Sequence, residues 1–427
     1  MISNWLSAVL ARKNIHYGWV MVGVTFLTAL ISAGTVGAPG VFIVPLQQEF
    51  GWTTAEISGA LSIRFMLFGL MAPFAAALLN RYGLRNMTLS ALLIVVSALL
   101  MSLAMTKVWQ LMLLWGVVVG LGTGMTALVL GATIAARWFS ARRGLVVGIL
   151  TASVATGQLV FLPLLASLTE RMGWRMALAL MCVMLGVAAF AVLMVMRDRP
   201  SDVGLRPFGD EGSEPLPPPP QNTAPIMAAA LGALRDAAKT RVFWILFATF
   251  FICGASTNGL IQVHLIPMCL DFGIPQLQAA GLLAAMGVFD FVGTIGSGWL
   301  SDRYDNRYLL FWYYGLRGLS LLFLPFTDFS FYGLSLFAMF YGLDWIATVP
   351  PTVRLTAQRF GPERANLVFG WIFAGHQLGA ATAAFGAGLS RTVLLSYLPA
   401  FFAAGALCIV AALITLAISR QPKPVAA

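Results

Sequence analysis

An all-α membrane protein, with twelve transmembrane helices in two six-helix repeats, is the fold class this sequence predicts, on three observations. Of its 427 residues 59% are hydrophobic and 10% charged, with a mean hydropathy of +0.86, outside the usual range of soluble domains. Twelve apolar runs are long enough to cross about 30 Å of hydrocarbon. The chain also repeats itself at an offset of about 222 positions.

The first run begins near Tyr17. The segment before it, MISNWLSAVLARKN, has its basic residues after its few apolar ones and no small-residue cleavage site. It does not read as a secretory signal, so the first helix is expected to stay in the mature protein. Runs two to six begin near Ile57, Met87, Trp109, Gly144 and Trp174, and runs seven to twelve near Val242, Ala279, Tyr308, Phe331, Asn366 and Leu395. Between the sixth and seventh lies RDRPSDVGLRPFGDEGSEPLPPPPQNTAP, rich in Pro, Gly and charge. It is expected to bury no core and to act as a flexible cytoplasmic connector. The expected organisation is a six-helix bundle over 1–196, a linker over 197–241 and a second bundle over 242–427.

Counting Lys and Arg by loop sets the orientation. With both termini cytoplasmic, nineteen basic residues fall on that side, Arg81, Arg85, Arg137, Arg303 and Arg307 among them, and four on the other: Lys107, Arg171, Arg175 and Arg391. The protein is therefore expected in the plasma membrane, the inner membrane if bacterial, with both termini in the cytoplasm. The formal charge of +10 follows from this asymmetry, with contact to anionic membrane lipid in addition, and calls for no nucleic-acid partner. Cys182, Cys253, Cys269 and Cys408 lie in apolar segments without metal-type spacing and read as small buried hydrophobes. The sequence holds no Gly-x4-Gly-Lys-Ser/Thr loop and no His-Glu-x2-His. It implies no cofactor and no metal, and argues against a primary pump or an intramembrane enzyme.

The repeat is plainest in two loops. Ala76-Ala-Leu-Leu-Asn-Arg-Tyr-Gly-Leu-Arg85 is matched by Gly298-Trp-Leu-Ser-Asp-Arg-Tyr-Asp-Asn-Arg307, 222 positions on (298 − 76), and FSARRG at 139–144 by FGPERA at 360–365, 221 positions on (360 − 139). Transporters are often built from such repeats, with the substrate site between them near the membrane midplane. Gly298, Asp302, Arg303 and Arg307 fit the loop signature Gly-x3-Asp-Arg-x-Gly-x-Arg, and with the helix pattern the chain resembles the major facilitator superfamily. Asp305 stands where that signature has Gly, and the first loop has Ala76 for Gly and Asn80 for Asp. The resemblance implies the major facilitator fold, rocking of two halves about a central site, and a monomer. It also implies that the loop pairs with a neighbouring helix end in the outward-open state.

Three further stretches, HYGWV (16–20), RWFSARRGLVVGI (137–149) and RDRPSDVGLRP (197–207), resemble the monocarboxylate transporter and oxalate/formate antiporter branch. The first group carries a lysine on helix one and an arginine four residues after a helix-eight aspartate. Here helix one has no lysine, and Thr294 follows Asp290 at that spacing. The second group places a basic residue on helix eight and a lysine on helix eleven, where this chain offers only His376. Either the anion-binding cation lies elsewhere or the substrate is not a simple anion.

Charges at mid-bilayer depth are costly unless paired or facing water, so each is a functional candidate. There are four: Arg64, Asp290, Arg317 and Asp344, on helices two, eight, nine and ten. Arg317 and Asp344, on consecutive helices, fit a structural ion pair, though Asp344 also fits substrate contact because helix ten lines the cavity of the resembled family. Asp302 and Arg303 complete the structural or gating charges. Arg64 and Asp290 lie on helices that meet in the resembled fold, and fit a gate pair. Alternatively Arg64 is free, its planar fork suited to a substrate carboxylate. Substrate that displaced Asp290 from Arg64 would unite both roles and leave Asp290 to take a proton. A permanently paired structural Asp290 is the other reading.

His376 can share the proton work, since histidine changes charge near neutral pH, or simply pack. With Asn258 and Gln377 it is also a substrate-binding candidate, and His264 is a weaker one. GTVGAPG (34–40) in helix one and Pro350-Pro351 in helix ten mark expected moving segments. The expected function is secondary active transport of a small organic anion, a monocarboxylate in particular, coupled to protons by alternating access. An organic-anion exchanger without net proton movement, an efflux carrier of amphipathic compounds and a non-transporting ligand sensor remain open.

Overall fold

The computed structural model describes residues 2–125, 129–210 and 226–419. Among them the structure is helical, with one isolated β-bridge between Phe139 and Phe208. The helices that follow the twelve runs, nine of them long and apolar enough to cross a membrane among the described residues, are helix one (Gly18–Gly37 and Pro39–Phe50), two (Thr54–Tyr82), three (Leu84–Ser102), four (Val108–Gly124 and Val129–Trp138), five (Arg143–Met172) and six (Trp174–Val195). The second set is helix seven (Arg241–Asp271), eight (Gln276–Arg303), nine (Asn306–Phe323), ten (Phe331–Asp344 and Val349–Phe360), eleven (Pro362–Val393) and twelve (Leu398–Thr415). Each begins within a few residues of an apolar run. Short helices Ile2–Ala11 and Ile226–Ala237 lie outside the spans.

Local chemistry sets the ends. Thr53 and Glu56 form a reciprocal capping box that starts helix two. Helix two stops at Gly83, whose φ of +84° favours glycine and where a Cβ would sit 2.6 Å from an Asp198 carboxylate oxygen. Asp198 in turn accepts from the Arg85 backbone N–H at 3.0 Å, capping helix three. Asp305 does the same for helix nine, accepting from Arg307 N at 3.0 Å. The residue that departs from the loop signature thus supplies its own cap.

In the first half helix one packs on five and six, and helix two on four; in the second, helix seven packs on eleven and twelve, eight on ten, and nine on twelve. Helix eleven lies along helix two and helix eight along helix five, joining the halves. The second piece of helix one also meets the end of helix seven. There a Cβ on Gly40 would come within 2.9 Å of the Val263 carbonyl oxygen, so glycine permits the approach. At the basic end, which carries the linker, no comparable packing joins Val129–Trp138 to Val349–Phe360 among the described residues. At the end opposite the linker the halves are joined by side-chain hydrogen bonds as well.

The two described stretches of the linker, 197–210 and 226–241, are held to the bundle where a flexible connector is expected. Pro200–Val203 forms a single 3-10 turn. Phe208 N donates to the Trp138 carbonyl at 2.8 Å, and Ser140 N to the Phe208 carbonyl at 2.9 Å. Ile226–Ala237 packs against helices two and eleven, with Trp371 Nε1 donating to the Ala230 carbonyl at 2.8 Å. A few apolar side chains, Phe208 and Ala230 among them, supply the anchoring that the average composition hides. The proline run lies in 211–225, outside the described residues.

The three stretches that suggest the monocarboxylate branch meet at the basic end of the first half. His16 Nε2 donates to the Arg206 carbonyl at 2.9 Å, and the Tyr17 hydroxyl to the Val195 carbonyl at 2.6 Å. Trp19 packs edge-on against Phe139 and Phe208 at centroid distances of 5.2 and 6.0 Å. They form one packed knot, away from the middle of the membrane.

Candidate substrate and coupling site

Arg64 is 4% exposed. Its Nη2 donates to the Val36 carbonyl at 2.8 Å, just before helix one breaks between Gly37 and Pro39, and its guanidinium lies 5.3 Å from the Phe65 ring centroid. Among the described residues no carboxylate pairs with it. The structure therefore does not bring Arg64 and Asp290 together as a gate pair. It leaves a buried guanidinium with unused donors near a helix break.

The other three charges converge in the second half. Helix ten ends at Asp344 and resumes at Val349, and the backbone groups of 345–348 need partners in a medium without water. Side chains of neighbouring helices provide them. Arg317 Nη2 donates to the carbonyls of Asp344 and Trp345 at 2.5 and 3.1 Å. The Ile346 N–H donates to Asp290 Oδ1 at 2.8 Å, and the Ser297 hydroxyl to the Ala347 carbonyl at 2.5 Å. Pro350 and Pro351 lie in the first turn of the second piece, where a missing N–H costs little. The interruption thus precedes the prolines.

Arg317 also pairs with Asp344, Nε to Oδ2 at 2.6 Å, and donates from Nη1 to Cys253 Sγ at 3.0 Å. Cys253 is therefore more than the inert hydrophobe its spacing suggested: its sulfur accepts one of the Arg317 donors. Asp290 accepts a second bond from the Thr294 hydroxyl at 3.0 Å. The residue at the spacing where the resembled transporters carry arginine is thus its hydrogen-bond donor, and the nearby cation is Arg317 from helix nine. With every group ionised the cluster holds two carboxylates against one guanidinium. Asp344 Oδ1 is buried with no partner among the described residues.

His376 stacks on Phe373 at 5.6 Å, packs against Phe250 at 4.9 Å, and neighbours the Cys253 thiol. It therefore borders the cluster from helix eleven. Its Nδ1 and the Oε1 of Gln377 are buried without partners among the described residues. Asn258 is half-buried in the wide-turned stretch Ala255–Ile261 of helix seven, a kind of irregularity common at functional sites. His264 donates from Nε2 to the Ala384 carbonyl at 2.8 Å, and its Nδ1 is likewise buried without a partner among the described residues. Asp302 forms an ion pair with Arg354 of helix ten, and Arg303 lies over the Trp299 ring at 4.1 Å. Both loop charges therefore have partners in their own half, while the side chain of Asn80 lies outside the described residues. Sequence reading misses Ser297, Thr294 and Cys253, because a small polar residue in an apolar helix gives no sign of which backbone break it serves. No three His, Cys, Asp or Glu side chains converge as a metal site among the described residues.

Comparison with known proteins places this geometry. An uncharacterized MFS-type transporter of Bacillus subtilis, YcxA, is 25% identical over 399 residues, covering 91% of each chain. Monocarboxylate transporter 13 of Bos taurus is 26% identical over 396 residues, covering 91% of this chain and 86% of its own. Monocarboxylate transporter 12-B of Danio rerio is 26% identical, covering 78% and 73%. Among solved structures, a point mutant of the nucleoside transporter NupG superposes with a TM-score of 0.74 at 13% identity, over 94% of this chain and 100% of its own, which is a likeness of fold. The family model described as Major Facilitator Superfamily matches residues 25–384, most of the length, and the chain is a membrane transporter that belongs to that superfamily.

Proposed function

We propose that this transporter carries a small organic anion, a monocarboxylate in particular, together with a proton, by alternating access. We place it in the plasma membrane with both termini and the linker cytoplasmic, so that the end where the halves are hydrogen-bonded together faces outward. The observation that carries the reading is Arg64: a buried guanidinium with one carbonyl partner and no acid among the described residues is costly unless an anion arrives to complete it. Asn258, His376 and Gln377, each with hydrogen-bonding capacity to spare, are the other substrate contacts. Relatives described as monocarboxylate transporters support the substrate class. Asp290 is the proton site, because a proton there removes the surplus negative charge of the cluster around Arg317.

One observation favours exchange without net proton movement. Asp290 Oδ1 already accepts two hydrogen bonds, an arrangement that suits a permanently ionised carboxylate. Uptake of labelled monocarboxylates into proteoliposomes, with and without an inward-acid gradient, distinguishes the two: symport accumulates label uphill, exchange does not. Arg64→Lys keeps the charge but loses the fork, so weakened uptake is expected, and Arg64→Gln should abolish it. Normal binding and transport by both variants would overturn the assignment.

A further inference from the structure

At the end opposite the linker, two backbone donors are capped across the boundary between the halves. The Ala55 N–H, in the first turn of helix two, donates to Thr392 Oγ1 in the last turn of helix eleven at 3.1 Å. The Leu277 N–H, in the first turn of helix eight, donates to Glu170 Oε1 in the last turn of helix five at 3.1 Å. The donors are 222 positions apart (277 − 55), and so are the acceptors (392 − 170), the offset that relates the repeated loops (298 − 76). One contact is therefore made twice, and each time the cap comes from the opposite half. Gln276 Nε2, donating to the Val41 carbonyl at 2.8 Å, adds a third bond across the same boundary.

The first N–H groups of a helix have no partner within it. Thr53 serves Glu56 N in helix two, which leaves Ala55 N to helix eleven. At helix eight the N-cap is Pro275, which makes no side-chain cap, so Leu277 N depends on Glu170. We propose that these exchanged caps form the latch that holds the outer mouth shut. They exist only while helices two and eleven, and five and eight, are together at that end. Outward opening must break both and leave two first-turn donors uncapped until water reaches them. The two caps are alike in position and unlike in charge. Glu170 adds a carboxylate at the positive end of helix eight, so its cap holds more firmly than that of Thr392.

This inference rests on the alternating-access reading, and its test reads distance, not transport. Spin labels on cysteines replacing Thr106 and Leu394, exposed sites at that end in opposite halves, report the separation by pulsed electron resonance in the full-length protein. The four native cysteines are buried and stay in place. Glu170→Ala is expected to raise the long-distance population by about threefold to tenfold, the usual effect of losing a cap. Thr392→Val, which keeps the side chain's shape, should raise it by less, and the double variant by roughly the product of the two. Distances like those of the parent in both single variants and the double would overturn the latch, as would a shift in one single variant alone. If Glu170→Ala does not fold, Thr392→Val carries the same test. Shifted distances in a protein that moves no carboxylate would keep the latch and overturn the function; normal transport with unshifted distances would do the reverse.

Discussion

Replacing Asp290 by Asn separates a proton carrier from a structural acid. Asn keeps an oxygen in place of Oδ1, so the bonds from the Ile346 N–H at 2.8 Å and the Thr294 hydroxyl at 3.0 Å survive as neutral ones. A bond to a charged group contributes about 1.5–3 kcal/mol and a neutral one about 0.5–1.5, so two such bonds weaken by roughly 2 kcal/mol in all. The remaining charges of the cluster, Arg317 and Asp344, are paired and sum to zero. The variant should therefore fold, with a modest loss of thermal stability in detergent. With one proton per substrate, a difference of one pH unit supports about tenfold accumulation of label. In Asp290→Asn proteoliposomes that ratio should fall to about one, because the site can no longer alternate between charged and neutral forms. Exchange of labelled for unlabelled substrate should persist, since the loaded carrier can reorient without releasing a proton. If folded protein, binding and exchange all fall together, Asp290 is structural. Undiminished uphill accumulation by a well-folded variant would refute both roles and make His376 the leading proton site.

Three further expectations follow from named contacts. Arg317→Gln strands the Asp344 carboxylate and the carbonyls of the helix-ten interruption, a loss of about 3–5 kcal/mol, and should collapse the folded peak in size-exclusion chromatography while Asp344→Asn is milder. Asp198→Ala removes the cap on Arg85 N, about 1 kcal/mol, and should lower the melting temperature while leaving initial uptake rates near normal. A cysteine in place of the exposed Ser201 should react with an impermeant maleimide only after the inner face is opened. Labelling from outside intact cells would reverse the proposed orientation.

The spans were legible because hydrocarbon requires every backbone group to be satisfied within the segment, as a helix does. Each of the twelve apolar runs falls within a few residues of a helix start, and nine of those helices are long and apolar enough to cross a membrane among the described residues. The four intramembrane charges stood out for the same reason. Their pairing was legible only in part. Arg317 and Asp344 could be matched because they lie on consecutive helices, whereas Asp290 meets a backbone N–H. No side-chain pattern marks a backbone break, and the prolines at 350 and 351 point slightly past it. Asp305 looked like a defect in the loop signature, and its meaning emerged only beside Asp198, a residue from the linker that does in the first half what Asp305 does in the second. Composition is an average, so it does not show that Phe208 anchors the first stretch of the linker, 197–210, to the Trp138 carbonyl.

The unequal division of buried charge between the repeats has an electrical consequence. Arg64 has uncharged Met286 at its place in the second half (286 − 64 = 222), and Asp290 has uncharged Phe68 in the first (290 − 68 = 222). On the proposed function the empty carrier holds one positive charge in one half and one surplus negative charge in the other. An anion on Arg64 cancels the first, and a proton in the Asp290 cluster cancels the second. Neither the loaded nor the empty carrier then moves net charge through the membrane field as it reorients. Moving one charge through 100 mV is worth about 2.3 kcal/mol, and a carrier wired this way avoids that term in both directions. Its turnover should be indifferent to membrane voltage, driven by concentration gradients alone, and a current that tracked substrate uptake across a clamped bilayer would contradict that wiring.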